Sequence, residues 1–203
     1  MKKSMPWIRC AGFLVGLAVI LGICDFCFAP SGYVRFILHE VNRKDTQYDT
    51  IILGASHARS AINPEYLDEE LGTNTLNLAI PGETVKDAYY LLKDACESND
   101  VKTVIMDVDY QYWMDEQPQG YFTEPFICQN ITNLKVKTEY LLDNWDTIDL
   151  RNVLVRRLSW DCTWSSVKQN VSTKMTEAYR EYSIEAAGVD GKVEGADGPY
   201  IGK

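Results

Sequence analysis

The chain has few of the side chains on which most catalytic and metal sites depend. Its 203 residues include two histidines, His39 and His57, and no histidine follows position 57. Basic residues are also outnumbered, with 20 Lys and Arg against 29 Asp and Glu, for a net charge of -9. An acidic chain is a poor ligand for nucleic acid and does not bind anionic lipid through a basic patch. We therefore expect no nucleic-acid partner, no metal centre and no cofactor.

The six cysteines do not form a disulfide scaffold or a metal-binding pattern. Three of them fall within an apolar N-terminal run, and the other three are far apart in the sequence. One bridge among this second group and no bridge at all are both compatible with the spacing. The second group is Cys96, Cys128 and Cys162.

The clearest physical signal is a long apolar run from Trp7 to Phe28. As a helix it is long enough to cross about 30 Å of hydrocarbon. Lys2, Lys3 and Arg9 lie on its short N-terminal side, which predicts a cytoplasmic N-terminus and an extracytoplasmic remainder. A cleaved signal peptide is the alternative, although no A-x-A-like site follows the run. We expect residues 1–30 to form a single-pass membrane anchor.

Apolar runs and turn residues then alternate in a pattern typical of an α/β domain with a parallel sheet. Residues 31–48 read as a short helical connector, and residues 49–185 as the domain itself. Residues 110–129 are predicted as a long aromatic loop, and 186–203 as an irregular tail. Within the domain the predicted strands are 49–53, 75–80 and 102–109, and the predicted helices are 63–71, 84–98, 136–142, 148–158 and 166–184.

Small and polar residues follow each predicted strand at the sheet edge where open α/β proteins bind ligands. Ser56 and His57 follow the first strand, and Gly82 follows the second. Ser56 suits a nucleophile on a tight strand-to-helix turn, or alternatively a helix cap. Gly82 lets a backbone N–H face a ligand, or serves as a plain turn glycine. Four residues suit substrate binding: His57 after the first strand, and Asp107, Asp109 and Tyr110 around the end of the third.

Four blocks in this order resemble the SGNH/GDSL hydrolase superfamily. They are Ile51–His57, Asn63–Leu67, Asn77–Gly82 and Val104–Asp107. The chain looks most similar to the N-terminal portion of membrane-anchored Gram-positive members related to D-alanine transfer proteins and polysaccharide O-acetyltransferases. The resemblance implies a three-layer flavodoxin-like (SGNH-type) α/β fold. Its parallel sheet would be incomplete in this chain and preceded by one transmembrane helix.

The same resemblance assigns roles to individual residues. Ser56 matches the nucleophile, and its backbone N–H would form an oxyanion hole with the N–H of Gly82. The third block normally supplies an asparagine donor, but this chain has Asp107-Val108-Asp109-Tyr110 there. The last block, Asp-x-x-His, supplies the base and is missing. His57 is a poor substitute, because adjacent side chains on a tight turn diverge.

Three functional hypotheses follow from this pattern. The first is an extracytoplasmic serine esterase or O-acyltransferase that acts on acyl esters of a cell-envelope carbohydrate or polymer, truncated before its Asp-x-x-His block. The second is a catalytically inactive, membrane-anchored binding or scaffold protein of the cell envelope. The third is an enzyme that borrows its base from a partner. Aromatic residues such as Tyr112, Trp113, Trp160 and Trp164 would stack on sugar rings or cover the sheet.

Overall fold

The computed structural model describes residues 5–29, 34–108, 123–146 and 164–182. It begins with helix α1, Met5–Phe28, followed by the short helix α2, Val34–Val41. In the described part of the chain, α1 is the one helix that is long and apolar enough to span a membrane, a test that a signal sequence also passes. The predicted apolar helix is therefore confirmed, and the segment 31–48 contains the helix α2, which packs into the apolar cluster of the domain.

A small parallel sheet lies at the centre of the part that the structure describes. Its strands are β1, Thr50–Leu53, β2, Thr75–Asn77, and β3, Thr103–Met106. The order is β2-β1-β3, and Ile51 of β1 lies opposite both Leu76 and Val104. The prediction of a parallel α/β sheet is confirmed at this level, although most of the described elements are helices.

Three helices connect the strands: α3, Ser56–Ala61, α4, Pro64–Leu71, and α5, Val85–Ser98. The sequence does not predict α3, whereas α4 and α5 begin where the sequence places their caps. The Asn63 side chain accepts the Glu65 N–H at 3.0 Å, and α4 ends at Gly72 with a left-handed φ of 66°. Thr84 and Asp87 form a reciprocal capping box at the start of α5.

Within the described ranges after β3, four further helices follow the sheet. They are α6, Thr123–Asn130, α7, Leu134–Asp143, α8, Trp164–Lys174, and α9, Glu177–Arg180. The loop predicted over 110–129 is wrong in its last part, because α6 begins at Thr123. The helix predicted over 166–184 is two helices, separated at residues 175–176. The predicted helix at 148–158 and the tail at 186–203 lie outside the described residues.

Alternate residues of β1 point to opposite faces of the sheet, and each face is covered by helices. Ile51 and Leu53 belong to the larger apolar cluster, together with residues of α2, α5, α6 and α7. Ile52 lies on the other face with Ala58 of α3 and Leu67 of α4. β1 is therefore buried on both sides, which explains its continuous apolar sequence.

The two cysteines that the structure describes in the domain are free thiols. Cys96 is exposed on α5, and Cys128 is buried in α6. Burial raises the pKa of the Cys128 thiol to about 11. Of the pairings left open by the sequence, a bridge between these two is not formed. Cys162 lies outside the described residues.

Candidate functional site

Ser56 and His57 open α3 immediately after β1, and both are exposed. The N-cap position of α3 is Ala55, whose side chain makes no capping hydrogen bond. The alternative reading of Ser56 as a helix cap is therefore wrong. Within the described residues, no hydrogen bond of the Ser56 hydroxyl is found, so this hydroxyl is free to face a ligand at the carboxyl edge of the sheet.

Gly54 explains how the loops at this edge come so close together. Its φ is 152°, which favours glycine, and a Cβ added to it would lie 2.6 Å from the Ala58 Cβ and 2.9 Å from the Asp107 Cβ. A side chain at position 54 would therefore push α3 and the end of β3 apart. Because Gly54 has no side chain, α3, which begins with Ser56, packs close to the end of β3, where Asp107 lies.

Glu83 ties the loop after β1 to the loop after β2. Its side chain is buried, with 5% exposure. Its Oε1 accepts the Gly54 N–H at 3.0 Å, and its Oε2 accepts the Ile80 N–H at 2.8 Å. A charged acceptor for backbone N–H groups makes a strong hydrogen bond in a buried setting. The carboxylate therefore holds the backbone on both sides of the predicted oxyanion site.

Sequence reasoning missed Glu83, although a signal for it exists. An acidic residue directly after the turn residues Pro81 and Gly82 has no helix of its own to cap, since Thr84 and Asp87 perform that task in α5. An acidic side chain in such a place has either solvent or backbone N–H groups as partners. Because Glu83 is buried, its partners are backbone N–H groups, and this burial is not visible in the sequence.

Asn77 fixes α3 against the end of β2. It is buried, and its Nδ2 donates to the carbonyl of Ala58 at 3.0 Å and to that of Ile62 at 3.2 Å. Its Oδ1 accepts the Ala79 N–H at 3.1 Å. These bonds set the position of the helix that begins with Ser56. Although β2 ends at Asn77, the predicted strand 75–80 stays paired with β1, because the Leu78 and Ile80 N–H groups donate to the Ile52 and Gly54 carbonyls at 2.8 Å and 3.1 Å.

Gly82 and Asp107 complete the described part of the edge. Gly82 is exposed, with a left-handed φ of 77°, in the turn before α5. Asp107 is half-buried directly after β3, and its N–H donates to the Leu53 carbonyl at 3.0 Å. The structure thus brings the ends of all three described strands to one edge. Asp109 and Tyr110, the other predicted binding residues, lie outside the described residues.

His39 lies in a different part of the fold from Ser56. It belongs to α2 and stacks on the Tyr182 ring, with 3.8 Å between the ring centroids. The C-terminal end of α2 meets the end of α5, where Asn99 Nδ2 donates to the Val41 carbonyl at 2.7 Å. The end of α5 leads into the start of β3, so this contact lies at the amino edge of the sheet. The structure does not bring His39 to the serine.

The described residues include no group of three or more His, Cys, Asp or Glu side chains that would hold a metal ion. Two carboxyl groups lie beside Gly54: Asp107, and Glu83, which accepts the Gly54 N–H. What this arrangement offers chemically is the Ser56 hydroxyl, the exposed imidazole of His57, an exposed backbone turn and the half-buried carboxyl group of Asp107. These groups suit the binding of a polar, uncharged group such as an ester carbonyl.

Comparison of the chain with family models, with curated proteins and with solved structures finds no match in any of the three. The resemblance to SGNH hydrolases thus rests on the four sequence blocks. Three of those blocks overlap the end of a described strand, and the residues that follow each strand lie at the same sheet edge.

Proposed function

We propose that this chain forms an extracytoplasmic SGNH-like domain whose site takes the acyl ester of a cell-envelope carbohydrate or polymer. Ser56 attacks the ester carbonyl, and the N–H groups of Ser56 and Gly82 stabilise the resulting oxyanion. One observation carries the proposal. Ser56 and Gly82 follow adjacent parallel strands, and the buried carboxylate of Glu83 joins the backbone of their two loops.

The topology supports a flavodoxin-like continuation of the sheet beyond β3. The chain leaves β1 toward β2 on one side and later returns to β3 on the other, so β1 lies at a topological switch point. Open α/β sheets bind their ligands at such points. On β3, Val104 and Met106 are 43% and 37% exposed. Apolar residues of a parallel strand are ordinarily covered, which supports a larger sheet than the described three strands.

Catalytic turnover needs a base, and no histidine follows His57 in this sequence. Loss of the histidine from a serine triad lowers kcat by roughly 10⁶-fold in a well-studied protease. An oxyanion site without a base still retains part of its rate advantage over water. We therefore expect Ser56 to accept an acyl group slowly from an activated ester. Without a base to activate water, the acylated serine accumulates.

The proposal also includes the orientation of the chain in the membrane. The N-terminal helix α1 anchors the chain in the cell membrane, and the basic residues Lys2, Lys3 and Arg9 keep its N-terminus in the cytoplasm. The domain from β1 onward then faces the cell envelope. This placement gives the site access to surface polymers as substrates.

The experiment is acylation of the purified full chain with p-nitrophenyl acetate, read by intact mass and peptide mapping. We expect one acetyl group on Ser56, formed faster when imidazole is added as an external base. Ser56→Ala should remove the adduct. Ser60→Ala, on the same helix, is the matched control and should keep it.

The alternative function is a catalytically inactive binding protein of the cell envelope, and the missing histidine favours it. Acetylation of Ser56 no faster than that of other serines, with and without imidazole, would contradict the acyl-ester proposal. That result would leave the carboxyl edge as a binding surface. Cooperative unfolding of the same preparation shows that the result does not come from an unfolded sample.

A further inference from the structure

Helix α8 is joined to the last turn of the apolar helix α1 by hydrogen bonds to free carbonyl groups. Lys174 Nζ donates to the Phe26 carbonyl at 2.7 Å and also to the Ala29 carbonyl. Asn170 Nδ2 donates to the Cys27 carbonyl at 3.4 Å. Both donor side chains are buried, with 7% exposure each. The C-terminal end of α1 is therefore held to α8 by a buried lysine and a buried asparagine.

The physical chemistry of helix ends explains this contact. The last four carbonyl groups of a helix have no intrahelical partner, and the C-terminal end carries partial negative charge. In a membrane-spanning helix these carbonyls also lie where water becomes scarce, so each missing partner is costly. The ammonium group of Lys174 supplies both hydrogen bonds and positive charge. Packing of α8 therefore stabilises the end of the anchor.

The position of α8 relative to a bilayer follows from the length of α1. Pro6–Phe28 comprises 23 residues, which as a helix span about 34 Å, slightly more than the hydrocarbon thickness of about 30 Å. Phe26, Cys27 and Ala29 then lie at the outer boundary of the hydrocarbon. Because α8 binds these residues, it lies at the same level.

An aromatic side chain of α8 extends the lipid-facing surface of α1. The Trp164 ring packs edge-to-face on Phe28 with 5.7 Å between centroids, yet it remains 81% exposed. Phe26, on the same turn of α1, is 41% exposed. The apolar surface that faces the bilayer along α1 thus continues onto Trp164. Tryptophan is the residue enriched at the membrane–water boundary.

The other end of this unit is attached to the domain. In α9, the Tyr179 ring packs edge-to-face on Phe36 of α2, with 5.7 Å between centroids. The guanidinium carbon of Arg35 lies 4.1 Å from the ring centroids of both Tyr179 and Tyr182. These cation–π contacts connect α9 to α2, which packs in the core of the domain. The anchor, α8, α9 and α2 therefore form a continuous chain of contacts.

We propose that α8 lies on the outer surface of the membrane, with Trp164 inserted among the lipid headgroups. Its partner is a phospholipid surface, and aromatic burial provides the binding energy. Charge contributes little to this binding. Helix α8 has two lysines, Lys168 and Lys174, and the ammonium group of Lys174 is hydrogen-bonded to α1. The domain is consequently held against the bilayer. This proposal rests on α1 as a membrane anchor and is independent of the chemistry assigned to Ser56.

The experiment places the full chain in phosphatidylcholine vesicles and measures tryptophan fluorescence. The chain has five tryptophans, so one variant keeps Trp164 alone and the matched control keeps Trp145 alone, which is 64% exposed on the turn after α7. We expect Trp164 to be quenched by brominated lipids and protected from acrylamide, with blue-shifted emission. Trp145 should show the opposite pattern. Addition of anionic lipid should change neither.

A second variant tests the role of the buried donors. Lys174→Ala with Asn170→Ala should reduce the quenching of Trp164 by brominated lipids, while vesicle flotation still reports anchoring through α1. If the chain floats with the vesicles but Trp164 is as accessible to acrylamide as Trp145, the α8 proposal is overturned and the anchor is not. Failure of the chain to float with vesicles would overturn the anchor and the α8 proposal together. Neither result bears on acylation of Ser56.

Discussion

At the scale of single residues, the carboxyl edge depends on Gly54 more than on the serine beside it. Ser56 contributes a reactive hydroxyl, but Gly54 determines whether α3 and the end of β3 can approach it. The sequence shows a small residue before the serine without indicating what it must accommodate. Only the positions of Ala58 and Asp107 reveal that a side chain has no room here.

Gly54→Ala should destabilise the domain strongly. The new Cβ would meet two side-chain carbons at 2.6 Å and 2.9 Å, and the φ of 152° strains any L-residue. Overpacking and backbone strain together predict a loss of about 2–5 kcal/mol in the free energy of unfolding. Urea denaturation measures it. Gly72→Ala is the matched control, because Gly72 also has a positive φ but open space around it. An equal loss in both variants would contradict the crowding argument.

Glu83 is the second residue on which the geometry of the edge depends. Glu83→Ala leaves the buried N–H of Gly54 without this acceptor, whereas the Ile80 N–H keeps the Gly54 carbonyl at 3.1 Å. One buried donor without its partner predicts a loss of about 1–3 kcal/mol. Faster amide hydrogen exchange at Gly54 than at Ile80 would identify the cause.

Glu69→Ala, at an exposed position on α4, is the control and should change stability by less than about 0.5 kcal/mol. Equal stability of Glu83→Ala and Glu69→Ala would show that the Glu83 carboxylate does not hold the loops after β1 and β2 together. The same measurement on Glu83→Gln separates charge from hydrogen bonding, since the amide keeps one acceptor oxygen.

At the scale of elements, local signals predicted the helix starts well and the strand ends less well. Asn63, Pro64 and Gly72 specify α4 from both sides, because capping depends on residues that are neighbours in sequence. β2 ends at Asn77, whose side chain bonds to α3 in a contact between distant segments, although backbone pairing with β1 continues to Ile80. α6 was missed because its sequence, with Pro125 and Phe126 after an aromatic stretch, has little helical periodicity. Its burial against α2 is a tertiary contact.

The packing of α2 on α9 makes the stability of the fold dependent on pH through His39. Burial lowers the pKa of His39 below its usual value, with Glu40 opposing and Arg43 and Arg35 adding to the shift. Among the described residues its Nδ1 is buried with no hydrogen-bond partner, so an imidazolium would carry an unsatisfied N–H. The folded state therefore prefers the neutral ring.

The sign of the effect follows from proton linkage. The unfolded chain protonates His39 at a pH of about 6.5, before the folded state does. The contribution of His39 to stability is thus complete above that pH and is lost as the pH falls toward the lower folded pKa. His39→Phe keeps a ring to stack on Tyr182 and removes the titration. Urea denaturation of both proteins from neutral to mildly acidic pH should show a steeper loss in the wild type. Parallel curves would contradict the argument.

At the scale of the whole molecule, the described residues divide into one apolar helix that is long enough to span a membrane and a small α/β domain. The composition of the first thirty residues predicted this division, because hydropathy is a property of sequence alone. The contacts that join the two parts were not predictable. Lys174 and Phe26 are 148 residues apart in the chain, and nothing in the neighbourhood of either indicates the other.

The cysteines test the topology of the whole chain, because they are distributed along it. Cys10 lies near the N-terminal end of α1, and Cys96 is exposed on the domain. With the domain outside the cell, a membrane-impermeant maleimide should label a variant that keeps Cys96 alone on intact cells. A variant that keeps Cys10 alone should react only after permeabilisation. Cys128, buried and with a pKa raised to about 11, should react only after unfolding. Labelling of Cys10 on intact cells would reverse the proposed topology, and loss of Cys10 from the purified protein would identify a cleaved signal sequence instead of an anchor.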